Sequence, residues 1–350
     1  MKNLVSCLAK IKDPRKAKGI RHDQTTTLLI MIMSIMCGHT GLNAMARFAK
    51  SHREELAEVM PLPRGKAPSS ATIKRLSKAI NFEQICKAFN KWMIQYFKEE
   101  NIAIDGKSIN STVSSCHDSK QNFVSLVSFF GQNSNLIWHV GKLENGKSSE
   151  ITKVQDIIKK LDIKQSVFTD DALHCQKKTV KIIIESDNDY IITAKRNQPK
   201  LHDSIKEKTK TQPEDAFSWK QNGHDHSVSC RIKVWEAPSS MTKQWTGLSK
   251  VISVTRKGVR NGKKFSSETY YITSLKTSAY RLSKAIRGHR RIENNLHWVK
   301  DVILNEDNCH ITKTEQAATL GVMRDIGFNL LIMEGFKSIT NAMAEMEGKI

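Results

Sequence analysis

Residues 166–176 read SVFTDDALHCQ, and the two adjacent carboxylates near the middle decide how the rest of the chain is understood. Val167 and Phe168 form a short apolar run that stops at Asp170 and Asp171, just ahead of a helical pattern. Like charges side by side disfavour each other's ionisation, and a strand end offers neither of them a ready partner. Either the pair is a solvated turn that caps a helix, or one of them holds a cation.

The elements around it give the stretch a place. Upstream, NIAIDGKSI (101–109), NFVSLVSFFG (122–131) and NLIWHVGKLE (135–144) are β-like runs separated by turn residues. SSEITKVQDIIKKLD (148–162) is an amphipathic helix and QSVFTD (165–170) a fourth strand. ALHCQKKTVKIIIESDN (172–188) reads as a helix, and DYIITAKRN (189–197) as a fifth strand. Three strands, then helix, strand, helix, strand is the order of a ribonuclease-H-like α/β fold. Residues 197–280 read as a separate β-rich insertion with runs SVSCRIKVWEA, KVISVTRK and SETYYITSL. Residues 281–304 return to one long helix, and 314–333 supply another. The expected division is a helical region 1–100, a catalytic region 101–196 and 281–335, the insertion 197–280, and a tail 336–350.

Composition points to a polyanionic partner. The 350 residues carry 56 Lys+Arg against 35 Asp+Glu, a net charge of +21. Such an excess favours nucleic acid. Residues 1–100 hold 18 Lys/Arg and 8 Asp/Glu, so the helical front end is the most basic part. Within it, SSATIKRLSKAINFEQ fits either a helix-turn-helix or a plain bundle, with Lys74 and Arg75 as candidate DNA contacts. Seven scattered cysteines without a CxxC argue against a disulfide framework or zinc ribbon and for a reducing cytosol. The run LLIMIMSIMC (28–37) is too short for a membrane span and reads as a buried helix. No signal peptide is evident. The expected setting is the cytoplasm, on the nucleoid.

Asp105 lies in an apolar strand, an expensive position for an acid without a partner or a metal. In the ribonuclease-H-like sheet, strands one and four are neighbours, so Asp105 and the Asp170/Asp171 pair would converge. Glu293, in HRRIENNLHW on the last long helix, is the candidate third acid. Three carboxylates can grip two Mg²⁺ ions, with Mn²⁺ as an alternative, for phosphodiester displacement. Any single acid is more simply a cap or a solvated charge; the three in this order on a basic chain are not. His289, Glu293 and His297 share a helix face at i, i+4, i+8. A zinc face from these histidines and DNCH (307–310) competes, but zinc sites usually use closer ligand pairs.

These motifs, IAIDGK, KSSEI (147–151), DALHCQ, IITAKRNQ (191–198) and HRRIENNLHWVKDVILNED, resemble the H-repeat-associated (ISAs-type) insertion-sequence transposases of the DDE superfamily. DPRKAKGIRHD (13–23) resembles that family's N-terminal region, and the similarity spans roughly residues 10–335. The resemblance implies metal-dependent cleavage at terminal inverted repeats and strand transfer into target DNA by a homodimer or larger assembly. It places Asp105, Asp171 and Glu293 as catalytic metal ligands, because the family's second acid directly precedes Ala. Asp170 is then a helix cap, a charge behind the ligands, or a replacement for Asp171. Asp301, with Glu306 and Asp307, would support the metal site or pair with the basic surface, and His174 would line the site. Lys107, His297 and Lys300 join Arg290 as candidate DNA contacts, Arg290 standing where the family usually has Trp. The rival readings are a nuclease without strand transfer and an inactive DNA-binding remnant. The intact acids weaken the second.

Overall fold

The computed structural model describes residues 2–18, 20–113, 123–144, 149–223, 226–260 and 262–349. Cys116, and Lys147 and Ser148 of KSSEI, lie outside them. The first hundred residues form α1 (Lys2–Leu8), α2 (Gln24–Met36), α3 (Leu42–Ser51), α4 (Arg53–Val59), α5 (Ser70–Ala79) and α6 (Phe82–Met93). The Asp23 side chain caps α2 by accepting from Thr26 N, and Gly38, at φ +85°, follows its end in a conformation that favours glycine. Ser69 and Asn81 cap α5 and α6 in the same way. The Gln84 side chain does not close a capping box; it accepts from Lys12 N at 2.8 Å instead. Residues 42–59 form two helices broken at His52. In α6, Phe82, Ile85, Phe89 and Trp92 are buried against α1 and the elements behind it, while Glu83, Lys87 and Lys91 on the other face are exposed. Lys74 and Arg75 on α5 face solvent.

Next come β1 (Asn101–Ser108), β2 (Val124–Gly131), β3 (Ile137–Glu144), α7 (Glu150–Lys160), β4 (Val167–Asp170), α8 (Lys177–Glu185) and β5 (Asp189–Ala194). β1 is antiparallel to β2 and parallel to β4, which is parallel to β5. The order β3-β2-β1-β4-β5 is that of the ribonuclease-H-like fold.

Residues 197–280 do not form a separate unit. They contain α9 (Pro199–Lys208), β6 (Asp215–Gly223), β7 (His226–Glu236), α10 (Ser239–Thr242), β8 (Lys250–Arg260) and β9 (Lys263–Thr273). β9 pairs antiparallel with β5, so four long strands extend the same sheet to nine. The reason lies in β5, whose outer edge would otherwise carry unpaired backbone groups. Behind the extension, α11 (Ala279–His289) buries Ala279, Leu282, Ala285 and Ile286 against Ile232, Val234, Ile252 and Val254.

The long helix expected over 281–304 changes geometry after α11. Residues Ile292–His297 and Val299–Ile303 are π-helical: Trp298 N–H donates to Glu293 O, and Leu304 N–H to Val299 O at 2.8 Å. Such i→i+5 turns recur at functional sites. α12 (Thr314–Met333) is buried on nearly every side, and α13 (Ile339–Glu347) completes the chain's helices among the described residues. One apolar core runs from Leu4 of α1 to Ala342 of α13. No helix among the described residues is long and apolar enough to cross a membrane.

Candidate active site

The β1–β4 register aligns Ala103 with Thr169. Side chains alternate along a strand, so Asp105 shares the face of Ala103 and Asp171 that of Thr169. Asp171 lies one residue past β4, but its backbone is still extended (φ −78°, ψ −178°), which carries the alternation onward. The same face receives α11: His289 Nδ1 lies 3.0 Å from Thr169 Oγ1. Gly288 permits this approach, since a Cβ there would meet Gln132 Oε1 at 2.0 Å.

Glu293 follows one helical turn after His289, exposed, its carboxylate without a hydrogen bond or ion pair among the described residues. Burial lowers the His289 pKa, while the charges of Asp105, Asp171 and Glu293 oppose the shift. All three candidate acids therefore act on one imidazole. They do not close into a single tight cluster; Asp105, partly exposed, and Asp171 and Glu293, both exposed, border an open site. Asp105 accepts from Gly106 N at 2.9 Å, and its other oxygen lies 3.0 Å from His297 Nε2.

The paired acids of the opening stretch have different environments. Asp171 is the cap: its carboxylate accepts from Leu173 N at 2.7 Å, opening a short 3₁₀ turn at Ala172–His174. Asp170 does not take that role. It is 3% exposed, accepts from Asp171 N at 3.0 Å, and leaves Oδ2 without a hydrogen-bond partner. Burial raises its pKa well above the carboxylate range, opposed by His174, whose Nε2 is 3.8 Å away. Burial disfavours the His174 cation, but Asp170 and Glu150 outweigh it and hold that imidazole at about 9.

Glu150 was not singled out as a site residue in the sequence. Its Oε1 is 3.2 Å from His174 Nε2, and a Cβ on Gly106 would lie 2.8 Å from Oε2, so the carboxylate sits over the backbone beside Asp105. The signal was present in KSSEI, where Ser149 followed by Glu150 reads equally as an ordinary helix start.

Two expected DNA contacts are turned inward. Lys300 is 1% exposed, with Nζ 2.7 Å from Asp325 Oδ1 and 3.8 Å from Glu306 Oε1. Its burial disfavours the cation, but Asp325 and Glu306 raise its pKa, so it is an internal counter-charge and not a phosphate ligand. Lys107 reaches Asp301 at 2.5 Å, Asp307 at 3.6 Å and Glu306 at 3.7 Å, and its side chain is 10% exposed. Asp301 and Glu306 thus pair with internal lysines, not with a basic surface. Arg290 remains exposed, and His297 belongs with Asp105.

The residues fit a divalent cation. Their donors are carboxylate oxygens, the type Mg²⁺ and Mn²⁺ prefer. Asp170 Oδ2 is buried without a partner, and one ligand atom each from Asp170, Asp171 and His174 lies within 4.8 Å of the others. The zinc face fails because His289 and His297 turn to Thr169 and Asp105, and no cysteine joins them among the described residues.

Known proteins share this organisation. Residues 5–93 match the family described as DDE_Tnp_1-associated, and residues 96–326 match the family described as Transposase DDE domain. The "H repeat-associated putative transposase YhhI" and the protein YbfL, both of Escherichia coli K12, are each 28% identical over 347 residues, covering 95% of this chain and 90% of theirs. The piggyBac transposase, solved as a synaptic complex with hairpin DNA, aligns at a TM-score of 0.50 and 11% identity, covering 99% of this chain and 75% of its own. That likeness is one of fold. With the catalytic family matched over most of its length, the chain belongs to the transposases of the DDE-domain family.

Proposed function

We propose that the protein is an insertion-sequence transposase that cuts DNA at terminal inverted repeats and joins the freed ends to target DNA. The observation that supports this most is the shared face of Asp105 and Asp171, over which α11 and the π-helical turn bring Glu293. Asp105, Asp171 and Glu293 would hold Mg²⁺, or Mn²⁺, as a pair of ions. Bound there, the metal would activate an attacking oxygen and stabilise the leaving one.

The chain's own residues prepare that site. His297 orients Asp105, the Leu173 N–H orients Asp171, and Glu150 with His174 supports the floor beneath them. Water oxygen bonds to the scissile phosphorus as the P–O3′ bond breaks, leaving a 3′-hydroxyl and a 5′-phosphate. That hydroxyl then attacks a target phosphorus and releases the target's 3′-oxygen, so the number of phosphodiester bonds is unchanged in the second step. No covalent enzyme–DNA bond is needed. Joining two ends calls for two sites, hence a homodimer or larger assembly on DNA, in the cytoplasm at the nucleoid. In this reading residues 1–100 grip DNA through Lys74 and Arg75, and 101–196 with 281–335 carry the chemistry. Residues 197–280 position the ends, with 336–350 as a tail.

The test is an end duplex with Mg²⁺ and a tagged target duplex. Cut and joined products are expected from the wild type and neither from Asp171→Asn; cuts without joined product would reduce the activity to that of a nuclease.

A further inference from the structure

A cleft of about 960 Å³ runs along α11, bordered by Gln221 of β6 and by Asn101, Gln132 and Asn133 at the start of β1 and just past β2. Its wall carries Lys276, Arg281, Lys284, Arg287, Arg290 and Arg291, and no acidic residue is among its lining. None of the six cations has an acidic partner among the described residues; Arg291 instead donates to the Gln132 carbonyl. Six uncompensated charges on one wall repel one another, a cost that folding alone does not explain.

The wall is also ordered. Lys284 Nζ sits 4.4 Å from the Tyr280 ring centre, and the Arg287 guanidinium 5.5 Å from that of Trp219. Trp219 stacks with Phe217 at 6.2 Å, and Tyr280 meets Phe217 edge-on at 5.0 Å. Cation–π contact holds these two cations at defined positions rather than leaving them to sweep through solvent. Arg290, Arg291 and Asn294, sequence neighbours of Glu293, also line the cleft, while Glu293 itself does not.

We propose that this cleft is a phosphate track that guides one DNA backbone along α11 toward the turn that carries Glu293. It rests on the reading of the site as a DNA-processing centre and assigns the path by which DNA reaches it. The eleven residues of α11 span about 17 Å, the length of about five nucleotides along one strand. The occupant is DNA in either form, and the two forms are distinguished by the assay.

The assay is fluorescence anisotropy of the full chain with random-sequence duplex and single-stranded DNA, titrated with salt in EDTA so that no cleavage is required. The triple variant Lys276→Gln/Lys284→Gln/Arg287→Gln is compared with Lys159→Gln/Lys160→Gln/Lys164→Gln, an equal charge change at exposed positions outside the cleft. The cleft variant should bind at least about tenfold more weakly, with a log–log salt slope shallower by about 3 for a duplex track or about 2 for a single-strand track. The control variant should change either quantity far less. Equal losses in both variants, or an unchanged slope in the cleft variant, would overturn the track. Because nothing in this assay depends on catalysis, lack of cleavage would refute the proposed activity and leave this result standing.

Discussion

His297 Nε2 lies 3.0 Å from Asp105 Oδ2, tying the π-helical turn that carries Glu293 to the first strand of the sheet. The bond joins two candidate ligands that are 188 positions apart in the chain by way of a third side chain that binds neither water nor metal itself in this account.

Replacing His297 should therefore damage catalysis more than folding. Partners that orient metal ligands typically account for about 10–100-fold in activity or metal affinity. His297→Ala should cleave about 10–100-fold more slowly, with a weakened Mg²⁺ dependence and a melting temperature near that of the wild type. Wild-type cleavage in this variant would remove the orienting role.

Lys300 should behave as a core residue. Lys300→Met leaves Asp325 without its ion-pair partner 2.7 Å away, and breaking a buried pair from one side typically costs ~3–5 kcal/mol. Urea denaturation should show a loss of that order, and Lys300→Met/Asp325→Leu should recover part of it. The salt slope of DNA binding should not change in either variant; a shallower slope would return Lys300 to the DNA surface.

Acid should act through His139, half-buried on β3 with Nε2 3.3 Å from Asn90 Nδ2. Burial holds its pKa down to about 4, below the 6.5 of an unfolded histidine. The unfolded chain therefore takes up this proton first as pH falls. Stability from the neutral ring is fully present above about 6.5 and is lost on descent toward 4, by about 3 kcal/mol in all. Relative to His139→Gln, the wild type should lose its advantage between pH 7 and pH 5 in thermal melts. A constant difference across that range would contradict the assignment.

Much of the candidate site could be proposed from the sequence because its parts are local. The apolar strand around Asp105, the strand-to-turn change at Asp170 and Asp171, and the IEN segment around Glu293 are each visible within about ten residues. What escaped depends on distant partners. Lys300 looks like a surface cation until Asp325, on another helix, is brought 2.7 Å away. The π-turns leave the apolar spacing of 281–304 intact, so nothing in that segment announces them. β6 was missed because FSWKQNG, rich in polar and turn residues, reads as a loop; it is an edge strand, where such residues are tolerated. Its pairing, like that of β9 with β5, is decided by the sheet and not by the strand.

We propose that Asp171, the exposed member of the pair in SVFTDDALHCQ, serves the reaction directly, while the buried Asp170 supports it from beneath. The direct measurement is Mg²⁺-dependent cleavage of an end duplex by Asp171→Asn and Asp170→Asn, with binding to the same duplex measured in parallel. Asp171→Asn should show no detectable cleavage with unimpaired binding, and Asp170→Asn slowed but measurable cleavage, within about a hundredfold of wild type. Cleavage by Asp171→Asn at the wild-type rate, or its abolition by Asp170→Asn alone, would contradict it.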